Sequence, residues 1–196
     1  MNKELIGIIA GGISLVAYAP YIYSIFQRRT KPSRSSWWIW SLVGLIILVS
    51  YYGVGARNTI WIPLGLFICP LLIALLSIKY GSGKGFNTLD KACFSLAVIG
   101  VALWFILDSP AIALGINVFI DFIGFLPTFQ KTYAHPRKEN RFAWTLFFMG
   151  SILNLVALEG YHLQLLLYPA YMFAMDIIMM WIFFLKSFNG KKNYAR

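Results

Sequence analysis

Acidic residues are scarce in this sequence: seven Asp and Glu among 196 residues, against seventeen Lys and Arg. Charged residues of both signs reach only 12%, while 59% of the chain is hydrophobic. A soluble domain of this length cannot hide so much apolar surface, so the composition points to a chain solvated by lipid. Histidines number two, and His135 and His162 stand too far apart to build a metal site. No clustered His, Cys or carboxylate motif is present, which argues against an enzyme. The glycine-rich stretch 81–85 lacks the full Walker spacing and reads as a flexible linker, so no cofactor is expected. The two cysteines, Cys69 and Cys93, read as small apolar fillers rather than a disulfide.

What is abundant is long apolar runs. About 20 residues are needed to cross a bilayer as a helix, and seven such runs are found at roughly 5–26, 36–55, 59–78, 91–107, 110–130, 142–158 and 163–185. Helix is required because backbone polar groups in hydrocarbon must be bonded within the segment. Barrel strands would show a polar residue at every second position, and these runs do not. The expected fold class is therefore an all-α membrane protein with seven transmembrane helices.

The net charge of +10 invites a nucleic-acid partner, but its distribution removes the need for one. Arg28, Arg29, Lys31 and Arg34 follow the first run. Lys79, Lys84 and Lys91 flank the loop between the third and fourth, and Lys131, Arg137, Lys138 and Arg141 surround that between the fifth and sixth. Lys186, Lys191, Lys192 and Arg196 follow the seventh. Only Lys3 and Arg57 fall in the other set of loops, a split of fifteen against two. Basic loops stay cytoplasmic, which predicts an N-out, C-in orientation, and their charge is matched by anionic headgroups at the cytoplasmic face. Ala17-Tyr18-Ala19 resembles a leader cleavage site, but Pro20 and the continuing apolar run speak against cleavage, and the first run is expected to be retained.

The chain also repeats itself at a spacing of about 105 residues. Ser14 and Asp121 each precede a proline, Pro20 and Pro127, by six residues. Both segments then pass through Phe-Gln into a basic loop containing one proline, Pro32 or Pro136. A tryptophan, Trp40 or Trp144, follows eight residues later. Further along, Pro63 pairs with Pro169 and Pro70 with Asp176. Each repeat holds three runs, and the fourth is a connector that lets both triplets start on the same side, as parallel repeats do. The expected divisions are 1–80, the first three-helix repeat; 81–108, the linker loop and fourth helix; 109–187, the second repeat; and 188–196, a basic cytoplasmic tail.

This 3+1+3 plan, with its N-out orientation and a proline in the first helix of each repeat, resembles the PQ-loop and SWEET superfamily of transporters. The likeness is to bacterial members with a tryptophan-rich second helix, which places the chain in a bacterial cytoplasmic membrane. Here the proline is followed by Tyr21 or Thr128 rather than by the glutamine of the family's name. The resemblance implies transport of a small polar metabolite such as a sugar, an amino acid or a vitamin precursor, with Pro20 and Pro127 as hinges for alternating access. Asparagines of the third helices and aromatic residues of the second line the pocket in relatives, and Asp176 stands where such an asparagine is expected.

The residues themselves point the same way. A carboxylate at mid-bilayer costs roughly 2.5 to 3.5 kcal/mol on insertion scales, whereas interhelical hydrogen bonds in membranes average about 0.6 kcal/mol. At least one of Asp121 and Asp176 is thus expected to do more than fasten helices. Asp176, Asn154, Asn117, Trp144 and Trp40 are the candidate solute contacts, and Asp121 divides between proton coupling and packing. Trp37, Trp38, Trp61 and Trp181 read as interfacial anchors, whereas Trp40 and Trp144 divide between anchor and inner gate. The rival reading is a membrane binding or receptor protein on the same plan, without transport. The lack of Lys or Arg at mid-span counts against an anionic peptide as its cargo. Either reading leaves room for a homo-oligomer.

Overall fold

The computed structural model describes residues 2–53, 61–82, 86–106, 110–158 and 163–192. Arg57, Lys84, His162 and Arg196 lie outside the described residues, as do the side chains of Trp61, Pro63, Pro110, Lys191 and Lys192. Among the described residues there are seven α-helices and no strand: α1 (Lys3–Phe26), α2 (Arg34–Gly53), α3 (Trp61–Tyr80), α4 (Thr88–Ile106), α5 (Pro110–Ala134), α6 (Arg141–Val156) and α7 (Leu163–Lys192). A short 3₁₀ turn, Pro136–Lys138, precedes α6. The described residues are all-α.

Several helix ends are set by side chains of the flanking loops. The Asn2 side chain accepts from the Glu4 and Leu5 amides at 3.1 and 3.3 Å, opening α1, and Asn140 accepts from Ala143 at 3.0 Å, opening α6. These bonds satisfy amides that have no partner within the helix. At the other end of α1, Arg28 takes a left-handed φ of 59°, and the chain turns back so that the Arg29 and Thr30 amides both donate to the Ser24 carbonyl. Prolines Pro20 and Pro127 stand inside α1 and α5. Each removes a backbone donor, yet both helices continue through them.

Two helical stretches, Lys3–Phe26 and Leu166–Ser187, are long and apolar enough to cross a membrane, and they suggest membrane association. Arg34–Val49, Leu64–Tyr80 and Arg141–Val156 are apolar but shorter.

The chain divides into two compact units that interleave in sequence: Met1–Thr30 with Phe129–Arg196, and Lys31–Thr128. In the first unit α1 packs on α6, and α6 on α7. The α1/α6 pair is antiparallel, with Tyr18 edge-on to Phe147 at 5.1 Å and Lys3 bonded to the Leu158 carbonyl at the far end. Gly150 allows this approach, since a Cβ there would lie 2.3 Å from Ser14 Oγ. Phe148 stacks on Phe173 at 5.7 Å and joins α6 to α7.

In the second unit α2 packs against α3 and α4. Ile39 and Val43 of α2, Cys93 and Ala97 of α4, and Ile120 and Ile123 of α5 form its buried apolar cluster. Arg34, at the start of α2, donates to the Ser77 carbonyl at 3.0 Å and the Ser82 carbonyl at 3.3 Å. The Ser77 carbonyl also accepts the Gly81 amide at 2.8 Å, so the guanidinium adds a second donor at the end of α3.

Candidate functional site

Each unit carries a polar cluster built around one of the repeated motifs. In the first unit the centre is Glu139, whose side chain is 0% exposed. Oε1 accepts from Tyr21 Oη at 3.1 Å and from the Lys131 ammonium. Oε2 accepts from Trp144 Nε1 at 3.0 Å. The adjacent Asn140 donates to the Pro20 carbonyl at 2.8 Å. Residues from α1, the end of α5 and the start of α6 thus converge on one carboxylate. Burial pushes the Lys131 ammonium well below its ordinary pKa, and the charge of Lys138 pushes the same way, while the Glu139 carboxylate opposes both.

In the second unit Thr128 Oγ1 donates to Ser36 Oγ at 2.8 Å, and Ser36 in turn donates to Ser33 Oγ at 3.1 Å. Trp40 Nε1 reaches the Asp121 carbonyl at 3.4 Å, and the indole meets Phe125 edge-on at 4.9 Å and Trp37 at 5.0 Å. Gly124 makes room for it, because a Cβ there would lie 2.8 Å from Trp40 Nε1. Nearby, Ser35 donates to Asp90 of α4, whose other carboxylate oxygen accepts from the Asn87 amide at 2.9 Å.

The two clusters correspond through the sequence repeat. Tyr21 and Thr128 each follow the helix proline, and each hydroxyl bonds to the segment that opens the second helix of the other repeat: Tyr21 to Glu139, Thr128 to Ser36. Counting five residues back from Trp40 and Trp144 pairs Ser35 with Glu139, and four back pairs Ser36 with Asn140. This exchange explains the interleaved units, since α1 joins α6 and α7 while α5 up to Thr128 joins α2 and α3.

The sequence candidates are spread over both units. Asp176, Asn154, Trp144 and Pro20 belong to the first, and Asn117, Asp121, Trp40 and Pro127 to the second. Asp176 is 1% exposed and Asp121 5%. Asp176 lies on the stripe of α7 that carries Phe173, Met180 and Phe183, and these three side chains meet Phe148, Thr145 and Arg141 of α6. Trp40 and Asp121 are brought together, through the backbone carbonyl of Asp121. Asn117 has a buried Oδ1 that accepts no hydrogen bond. Asn154 is exposed. Trp37 is buried, unlike an interfacial anchor, whereas Trp181 is exposed. Among the described residues no three His, Cys, Asp or Glu side chains gather to hold a metal ion.

Of this cluster Trp144 is a sequence candidate, whereas Glu139 and Lys131 escape the sequence reading, which places Lys131 in a basic cytoplasmic loop. One signal was available: Glu139 is the single acid among the cations of 131–141. Compared with models of known protein families, with curated proteins and with solved structures, the chain matches none.

Proposed function

We propose that the protein is a multi-pass membrane carrier of a small polar metabolite, built as two parallel three-helix repeats joined by α4. The observation that carries this reading is the inverted distribution of polarity. Ile8, Ile9 and Val16 on α1, Leu72 and Leu75 on α3, Val98 and Ile99 on α4, and Ile177 and Ile178 on α7 are exposed. Ser35, Ser36, Ser77, Asp121, Thr128 and Asp176 are buried. Water-soluble folds bury aliphatic surface and rarely leave large apolar patches outside. A lipid-solvated fold reverses the outer half of that rule and keeps its ionisable groups inside.

Two further observations support the arrangement. Within the first unit, the ends of α5 and α7 and the start of α6 meet through Lys186 over Tyr133 and Arg141 over Phe183. Within the second, the start of α2 meets the end of α3. Each of these ends carries basic residues, as N-out, C-in topology in a bacterial cytoplasmic membrane requires. The exchanged Tyr21 and Thr128 bonds suit two repeats related by an axis along the membrane normal. In this reading Asp176, Asn154 and Trp144 of the first unit and Asn117 and Trp40 of the second are each candidate solute contacts, Asp121 is the candidate for proton coupling, and Pro20 and Pro127 are the hinges of alternating access.

Uptake of a pooled library of sugars, amino acids and vitamin precursors into proteoliposomes tests the proposal. Wild type is compared with Asp176→Asn and Asp121→Asn, with and without an imposed pH gradient. Uptake that Asp176→Asn abolishes is the expected result, and loss of gradient dependence in Asp121→Asn identifies the proton-coupling carboxyl. Folded wild-type protein that moves nothing would replace the carrier reading with that of a binding or receptor protein.

A further inference from the structure

Glu139 is a buried carboxylate that the solute site proposed above does not use, and its donors come from helices that a carrier has to separate. The α1 residues Ala10, Ser14, Ala17 and Tyr21 form one stripe at helical spacing, and Ser14 lies against Gly150 of α6. At the basic end of this seam the contact changes from close apolar packing to the Tyr21 hydroxyl on Glu139 and the Asn140 amide on the Pro20 carbonyl. Both bonds fall at the proline where α1 lacks an internal hydrogen bond. The second unit has the corresponding bond from Thr128 to Ser36, but between two neutral hydroxyls. Hydrogen bonds to a charged acceptor are the stronger kind, so of the two corresponding bonds the one on the α1/α6 seam is the stronger.

We infer that Tyr21 and Glu139 form a latch that closes the α1/α6 seam at its basic end, with Lys131 and Trp144 holding the carboxylate in place for the Tyr21 hydroxyl. Glu139 is a positioning residue here and touches no solute. The inference rests on the carrier reading, which requires a seam that opens. Breaking the latch exposes the seam without unfolding the helices on either side of it. Ala17, one turn before Tyr21 and 0% exposed, is placed to report that opening.

The test uses the full chain with Cys69→Ala and Cys93→Ala, carrying Ala17→Cys as a buried reporter. Vesicles are opened so that a charged thiol reagent reaches both faces, and labelling rates are compared with the latch intact, with Tyr21→Phe, with Glu139→Gln and with both changes. Labelling is expected to rise about tenfold with Tyr21→Phe, which removes the bond outright, and by less with Glu139→Gln, whose neutral amide oxygen still accepts from the Tyr21 hydroxyl. The double variant should label no faster than Tyr21→Phe alone, because without the hydroxyl the change at Glu139 has no latch bond left to weaken. Thr145→Cys, on an exposed site, should label at one rate throughout. Ala143→Cys, buried on α6, replaces the first reporter if that variant misfolds. Equal rates with and without the latch overturn the inference, as does equal acceleration at Thr145→Cys, which signals general loosening. Labelling needs no solute, so failed uptake counts against the carrier reading alone, and uptake by protein whose reporters never accelerate counts against the latch alone.

Discussion

A carboxylate shut away from solvent persists only where donors replace the water it gave up. Glu139 has three: a phenol, an indole and an ammonium. Removing one side of a buried charged pair costs far more than the pair contributes, because the remaining charge stays buried without compensation. Glu139→Ala is therefore expected to destabilise the protein by about 3 to 5 kcal/mol, measured as loss of thermal and denaturant resistance in detergent. Glu139→Gln keeps an acceptor of the same shape and should cost less. Lys131→Met removes the ammonium but leaves Tyr21 and Trp144 in place, so it should fall between them. Glu139→Ala combined with Lys131→Met should cost less than the two separate losses added together, since each variant breaks the same contact. Additive costs would show that Lys131 and Glu139 act independently.

Helix positions were largely legible in the sequence, and where they were not, the reason is local chemistry outside the apolar runs. The run at 91–107 locates α4, but the helix begins at Thr88. Its first turn is polar: Asn87 Oδ1 accepts from the Asp90 amide at 2.8 Å, and Asp90 returns a bond to the Asn87 amide. This reciprocal cap starts the helix before hydrophobicity rises. The run at 163–185 likewise gives the start of α7, which continues to Lys192 beyond its apolar part. Asn87→Ala is expected to cost about 1 kcal/mol, the usual worth of an N-cap, and to raise hydrogen exchange in the first turn of α4. Exchange unchanged there would mean that the Asp90 contact to Ser35 and the packing of α4 hold its first turn without the cap. The site was legible only in part. The proline and tryptophan pairs marked where the clusters lie, because they recur at a fixed spacing. Glu139 was hidden, because a loop of cations looks solvated and its burial depends on Tyr21, 118 residues away in the chain.

At the scale of the whole molecule, the proposed carrier requires charge and packing to agree on which helix ends share a side of the membrane. Within the first unit Lys3 meets the Leu158 carbonyl at one end of the α1/α6 pair, and Tyr21 meets Glu139 at the other. Leu158 therefore shares a side with the N-terminus of α1, and His135 shares the opposite side with Arg137, Lys138 and Arg141. In the proposed carrier the basic side is the cytoplasmic one by the charge rule. In a background carrying Cys69→Ala and Cys93→Ala, Leu158→Cys is expected to react with an impermeant thiol reagent on intact bacterial cells. His135→Cys should react only after the cells are permeabilised. The reverse pattern would keep the spanning unit and invert its orientation, setting the charge rule against the observed side. Reaction of both on intact cells would be incompatible with α1 and α6 crossing the bilayer as an antiparallel pair. The exposed aliphatic faces would then have to be covered by another protein surface rather than by lipid, and the carrier reading would lose the observation on which it stands.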